Sequence, residues 1–314
     1  MTLSPAPLYT DIYPGPKTGQ AYWTSAPDGV RLRIGCWCPE AARGTVLLLP
    51  GRTEYIEKYG CVTTGFFARG YATAIIDFRG QGLSDRLLPN VRVGHVRDFS
   101  EYQDDVRALV ETARACGLPE PFFLLAHSMG GCIGLRALHE GLPVVAAAFS
   151  GPMWGIKLSP TMRPVAHILS RLVPLLGMGA ALPPGTSYES YVLSDPFEDN
   201  MLTTDPEMWD MMVAQLETHP ELRLGGPSYT WLGAALRECT VLDHLPTPDL
   251  PTVTFQGSNE RVVDTASITR IMERWTNGKL HIVPAGEHEV LLEGAAVRDP
   301  ILDTICASYQ NATS

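Results

Sequence analysis

Apolar residues along this chain follow two rhythms, and the places where one gives way to the other mark its organisation. Short, nearly unbroken apolar runs recur at residues 45–49, 71–76, 122–125, 144–149, 252–256 and 279–283, each the length of a buried strand. Between them the pattern changes to a helical period. Phe99, Tyr102, Val106, Leu109, Val110 and Ala113 form one face of a helix predicted over 98–116. Further helices are predicted over 59–69, 264–275 and 295–309. Ahead of these units, 22–25 and 30–38 alternate as two strands joined by the Pro27-Asp28-Gly29 turn. Strands and helices alternating at this spacing predict a mostly parallel sheet with helices on both faces.

From residue 152 to 245 the strand rhythm stops. Val165, Ile168, Leu169, Leu172 and Val173 repeat as a helix, and Trp209, Met212, Val213 and Leu216 repeat as another. Asp205 is placed to cap the second, with Pro206 at its first position. A third helical segment runs over 228–239, and the strand–helix alternation resumes after 251. The chain therefore divides into an irregular arm, 1–20, a discontinuous α/β domain, 21–151 and 246–314, and an all-helical insertion, 152–245, after the sixth strand. The insertion reads either as a cap over a site or as an extra helical layer. Its Met153, Trp154, Trp209 and Met212 are candidates to line an acyl tunnel, because methionine adapts to chains of varied shape, or to form core.

The chemistry centres on 122–140, FFLLAHSMGGCIGLRALHE, where a strand runs into a helix through Ser128. A serine at such a turn, with small residues two before and two after it, is the nucleophile elbow of the α/β-hydrolase fold. Gly130 fits that pattern and Ala126 replaces the commoner glycine. A serine hydroxyl needs a histidine to take its proton, and that histidine needs a carboxylate to orient it. In this fold both follow later strands, acid before histidine. His288, in the loop after the last strand, is the candidate base, and Glu260, after the preceding strand, the candidate acid. Asp264 is a rival that an N-cap role explains, and Asp243 is a weaker one. His127 leaves the turn in another direction and is expected to line the site.

The oxyanion of an acyl-transfer reaction needs preorganised N–H donors. Met129, directly after the serine, and Arg52, in the turn after 45–49, are the candidates. Glu54 and Arg79 leave neighbouring strand ends and either pair across that turn or stay separately solvated. Arg79-Gly-Gln-Gly82 is a weak phosphate cradle, since no helix with a P-loop lysine follows.

The segments LLLPGRTEYIEKYG, AIIDFRGQGLSDR, LLAHSMGG, ELRLGGPSYTWL, GSNERVVD and AGEHEVLLE resemble the bacterial lysophospholipase and monoacylglycerol-lipase-like branch of the α/β-hydrolases. The resemblance runs from about residue 20 to the C-terminus. It implies hydrolysis of acyl-chain carboxylic esters, of monoacylglycerol or lysophospholipid type, through an acyl-Ser128 intermediate and with no cofactor. Ala126 for Gly, Glu260 for Asp, and Pro50 for His before the oxyanion glycine are its departures. A short-chain ester, lactone or amide hydrolase with the same triad is the alternative, and a non-catalytic binding protein on this fold is the second.

Composition narrows the partners. The 314 residues carry a net charge of −10, which argues against nucleic acid and against electrostatic docking on anionic lipid. Apolar contact at a membrane surface stays open, but no run reaches the roughly 18 apolar residues of a transmembrane helix. The N-terminus lacks the pattern of a secretory signal, and the seven cysteines are scattered. Cys36 and Cys38, two apart on a strand, share a face for packing, and no second cluster completes a metal set. A cytoplasmic protein without a metal is the expectation. Oligomeric state is not encoded in any motif here.

Overall fold

A computed structural model describes residues 3–12 and 15–313. Its strands, in chain order, are β1 (Ser4–Ala6), β2 (Gln20–Ser25), β3 (Arg31–Trp37), β4 (Thr45–Leu49), β5 (Ala72–Asp77), β6 (Phe122–His127), β7 (Val144–Ser150), β8 (Thr252–Gly257) and β9 (Gly278–Val283). The helices are α1 (Gly60–Ala68), α2 (Glu101–Ala115), α3 (Met129–His139), α4 (Met162–Leu175), α5 (Tyr191–Ser194), α6 (Pro206–Thr218), α7 (Tyr229–His244), α8 (Thr265–Arg274) and α9 (Ala295–Asn311). The strands join in one sheet, β1-β2-β3-β5-β4-β6-β7-β8-β9. It is parallel from β5 to β9 and antiparallel from β1 through β3 to β5.

The apolar runs predicted this sheet because each central strand is buried on both faces. Leu47, Leu49, Leu124 and Ala126 pack with α2, α3 and α8 on one side. Val46, Leu48, Phe123 and Leu125 pack with α1, α9 and α6 on the other. Tyr309 of α9 ties its layer to the sheet by donating to the Leu124 carbonyl at 2.6 Å.

Three expectations change. The arm is not wholly irregular: Ser4–Ala6 pairs with β2 as an edge strand, so the strand before the insertion is the seventh in chain order. Cys36 is buried, whereas Cys38, just beyond the end of β3, is exposed. Between β7 and β8 the chain forms α4 to α7, but α4 does not bury the apolar face that its period announces. Val165, Ile168, Leu172 and Leu175 are 41%, 55%, 52% and 81% exposed. Ser170 is its one buried residue, where the helix leans on Gly233 of α7.

Because β4, β6, β8 and β9 run parallel, their C-terminal loops open along one edge of the sheet. Side chains far apart in sequence meet there.

Candidate active site

Ser128 sits between β6 and α3 with φ 50° and ψ −117°, a conformation that is costly for a residue with a side chain. The surroundings hold it there. Its N–H donates to the Ser150 carbonyl at 3.0 Å, and its own carbonyl accepts from Met153 and Gly131 at 2.8 and 2.9 Å. At Gly130 a Cβ would lie 2.1 Å from the Leu49 carbonyl oxygen, so only glycine lets α3 start this close to β4. Ala126 is accommodated because its methyl faces Gly134, where a Cβ would come within 3.1 Å.

His288 and Glu260 meet this serine. The Ser128 Oγ and His288 Nε2 lie 2.9 Å apart, and His288 Nδ1 and Glu260 Oε2 lie 2.6 Å apart. A carboxylate on Nδ1 places the ring proton there and leaves Nε2 to accept from the hydroxyl. The other oxygen, Glu260 Oε1, accepts from the Val262 and Val263 amides at 2.7 and 3.1 Å, which fixes the longer glutamate side chain. Burial pushes the Glu260 carboxyl up, but the His288 hydrogen bond and charge and the two amides outweigh it and hold it below its usual range. For His288, burial pulls the imidazole down, yet Glu260, with Glu289 and Glu54 nearby, raises it overall. The rivals are occupied elsewhere: Asp264 caps α8 through the Ala266 amide, and Asp243 pairs with Arg270 and Arg274.

The turn after β4 is held from several directions. Thr53, a β-branched residue, has a φ of 67°. Glu54 Oε2 accepts the Gly51 amide and the Tyr59 hydroxyl, and Gln81 donates to the Gly51 and Glu54 carbonyls at 2.7 and 3.1 Å. This bracing steadies the backbone of Arg52, which lines the same cavity as Ser128. Met129 follows the serine directly as the first residue of α3.

The Glu54–Arg79 pair does not form. Arg79 is buried against Asp105 and reaches Asp28 and Glu101. Glu54 instead pairs with Lys58 at 2.9 Å, and Lys58 also holds Glu289 at 2.7 Å. Burial pushes Glu54 up, but Lys58, His127 and the Tyr59 hydroxyl bring it down to about 2. Glu289, with an oxygen that has no hydrogen-bond partner, is raised by burial more than Lys58 lowers it. Glu54, His127 and Glu289 bring their ligand atoms within 4.8 Å of one another, but the Lys58 ammonium already supplies the positive charge between the two carboxylates.

Sequence reasoning did not find Lys58 and Glu289 as part of the site. The spacing of Glu54 and Lys58, one helical turn, was a local signal for their pairing. Glu289 offered none, because its partner lies 231 residues away.

His127 lines the cavity without approaching the serine hydroxyl. Its Nδ1 donates to the Ser150 carbonyl at 2.8 Å, and burial lowers its pKa to about 4, so it stays neutral. Beside His288, ring centres 4.8 Å apart, it adds no charge against an imidazolium.

A cavity of about 340 Å³ opens over Ser128 and His288. Met153 and Met212 line it, together with Tyr191, Val192, Met201 and Leu216. Trp154 and Trp209 do not. Trp154 is core, stacked on Trp275 and donating to the Gly131 carbonyl, and Trp209 packs edge-on to Tyr191 and Phe197. Trp154, in the loop after β7, and Trp209, in the first turn of α6, carried no sign in the sequence of which way they would turn.

A serine activated by a histidine–glutamate pair, facing an apolar cavity, can carry out acyl transfer. The family model described as serine aminopeptidase, S33, matches residues 40–295. The chain belongs to this family. Within the S33 family it is similar to lysophospholipase L2 of Escherichia coli, 32% identical over 281 residues, 86% of this chain and 81% of that one. It is also similar to a monoacylglycerol lipase of Mycolicibacterium smegmatis, 27% identical over 272 residues, 84% of this chain and 88% of that one. Among solved structures, a soluble variant of monoglyceride lipase from Saccharomyces cerevisiae matches with a TM-score of 0.75 at 20% identity, covering 99% of this chain and all of that one. These relatives bear out the resemblance read from the six segments, and the fold is that of an α/β-hydrolase.

Proposed function

We propose that this S33 protein is a serine hydrolase cleaving carboxylic esters of single-chain lipids, of monoacylglycerol or lysophospholipid type. The observation that carries the reading is the Ser128–His288–Glu260 chain of hydrogen bonds opening into the apolar cavity. In it, Ser128 Oγ attacks the ester carbonyl carbon as His288 Nε2 takes the hydroxyl proton. The Arg52 and Met129 amides stabilise the developing oxyanion, and Glu260 stabilises the imidazolium. His288 then protonates the departing alcohol oxygen, leaving an acyl-Ser128 ester. Water, activated by the same histidine, releases the fatty acid.

The apolar lining from Tyr191, Val192, Met201, Met212 and Leu216 suits an acyl chain more than a small polar acyl group. All five of these residues come from α5, α6 and the segment between them, which supports reading 152–245 as a cap on a catalytic domain of 21–151 and 246–314. The exposed apolar face of α4 would meet lipid at a membrane surface, and no helix among the described residues is long and apolar enough to cross one. Seven free thiols suit the cytoplasm.

The family description favours a second reading, hydrolysis of an aminoacyl amide. A free α-ammonium would require an accessible carboxylate; Lys58 engages both Glu54 and Glu289 in the cavity wall, and the Glu289 oxygen that lacks a partner is sealed from solvent. Ester cleavage is therefore preferred. A fluorophosphonate probe should label wild-type protein and not Ser128→Ala, and Ser128→Ala should lower kcat on monoacylglycerol by about 10⁴-fold or more. Labelling that survives the substitution would sink the mechanism, and faster turnover of aminoacyl anilides than of esters would favour the second reading.

A further inference from the structure

Arg52 contributes more to the cavity than its amide. Its side chain runs along the wall, where Nη1 donates to the Gly225 carbonyl at 2.7 Å and the guanidinium lies 5.9 Å from the Trp231 ring centre. A guanidinium carries five N–H donors, and the described residues offer this one a single carbonyl and an aromatic face. Its Nε and Nη2 are not sealed in the protein without a partner, and Arg52 lines the cavity over Ser128.

The contrast with neighbouring cations is sharp. Arg33 is held by Asp77 and Glu57, Arg79 by Asp105 and Asp28, and Arg92 by Glu189. Arg86 is spent on the Gly80, Gly82 and Glu221 carbonyls. Lys58, the other cation in the cavity wall, is shared between Glu54 and Glu289. Arg52 alone among the cavity's cations has no carboxylate partner among the described residues. Burial brings it down only to about 10, so it is charged at neutral pH. An incompletely paired cation beside a reacting centre is costly unless the ligand supplies the anion.

We propose that the Arg52 guanidinium binds the phosphate of an acyl glycerophosphate, making this residue the determinant that favours phosphate-bearing single-chain esters over neutral ones. The assignment rests on the ester-hydrolase reading of Ser128. Covalent reach agrees with it. As many bonds separate an arginine's amide nitrogen from its guanidinium carbon as separate the ester carbonyl carbon of a 1-acylglycerol 3-phosphate from its phosphorus. With the carbonyl oxygen at the Arg52 amide, an extended headgroup lying along the side chain brings phosphate to guanidinium. Planar paired donors favour such an oxyanion.

The test compares 1-octanoylglycerol with 1-octanoylglycerol 3-phosphate, both below their critical micelle concentrations, using wild type, R52Q and R52K. Wild type should prefer the phosphate ester by at least tenfold in kcat/KM, mainly through KM. R52Q should lower that ratio at least tenfold, and R52K should keep part of it, which separates loss of charge from damage to the turn. Glycerol 3-phosphate should compete with the neutral ester in wild type far better than inorganic phosphate does. A ratio unchanged in R52Q, a wild-type preference for the neutral ester, or equal inhibition by inorganic phosphate would overturn the assignment while leaving ester hydrolysis intact. Turnover of neither ester by folded wild-type protein would overturn the ester-hydrolase reading and this assignment with it.

Discussion

At the scale of single residues, Glu260 decides how His288 behaves. Its one oxygen is anchored on the Val262 and Val263 amides, so the other is presented to Nδ1 in a fixed direction. In Glu260→Gln the oxygen can keep the two amides, but the amide nitrogen then points a donor at the Nδ1 proton. The imidazole is driven to the other tautomer or turned away, and kcat should fall by about 10⁴-fold. The pH profile carries a second signature. Attack needs neutral His288, so activity is lost as pH falls through the folded pKa of that imidazole. In the wild type, burial lowers this pKa but Glu260 and its acidic neighbours raise it above the ordinary value. Removing the Glu260 charge removes the leading raising influence, so the acidic limb of the residual activity should move to lower pH. A limb that stays in place would assign the titration to another group.

At the scale of elements, the period of the apolar pattern was a sound guide to type and a poor guide to burial. The strands β4 and β6 could be read because unbroken apolar runs have few other uses in a sheet covered on both faces. The caps could be read as well: Asp205 accepts from the Met208 amide at 3.0 Å, with Pro206 following, as local chemistry requires. In α4 the same reasoning gives the helix and misplaces its face, because amphipathic spacing states that a face is apolar and not what covers it. Ser170 turns inward to Gly233, and Leu172 and Leu175 turn out. Transfer of each leucine into lipid is worth about 1.5–3 kcal/mol, so Leu172→Asp with Leu175→Asp should reduce sedimentation with phosphatidylcholine vesicles at least tenfold. Circular dichroism should show the helix content retained. Unaltered sedimentation would remove α4 from the lipid-facing surface.

At the scale of the molecule, the site is a meeting of four loops, and its legibility followed the range of each contact. Ser128, Glu260 and His288 could be named because each stands in a recognisable place after its own strand. The ion pair from Lys58 to Glu289 could not be, since nothing at either position anticipates a partner 231 residues away. Yet this pair links the turn after β4 to the loop carrying His288 and so holds opposite walls of the site together. Lys58 lies between two buried carboxylates, and breaking such an arrangement by removing one partner costs about 3–5 kcal/mol. Lys58→Met should lower the urea midpoint accordingly at pH 7. In the wild type Glu54 is depressed from 4.5 to about 2, so its stabilisation is complete above pH 4.5 and lost as pH falls toward 2. Without the ammonium, burial raises both carboxyls above their unfolded values, the folded state binds the extra protons, and stability recovers as pH falls. The deficit of Lys58→Met relative to wild type should therefore shrink between pH 7 and pH 5. Adding Glu289→Leu should restore part of it at pH 7, because the carboxylate that lost its partner is gone. A deficit independent of pH, with no recovery in the double variant, would show that Lys58 contributes packing by its stem and not the charge that joins these loops.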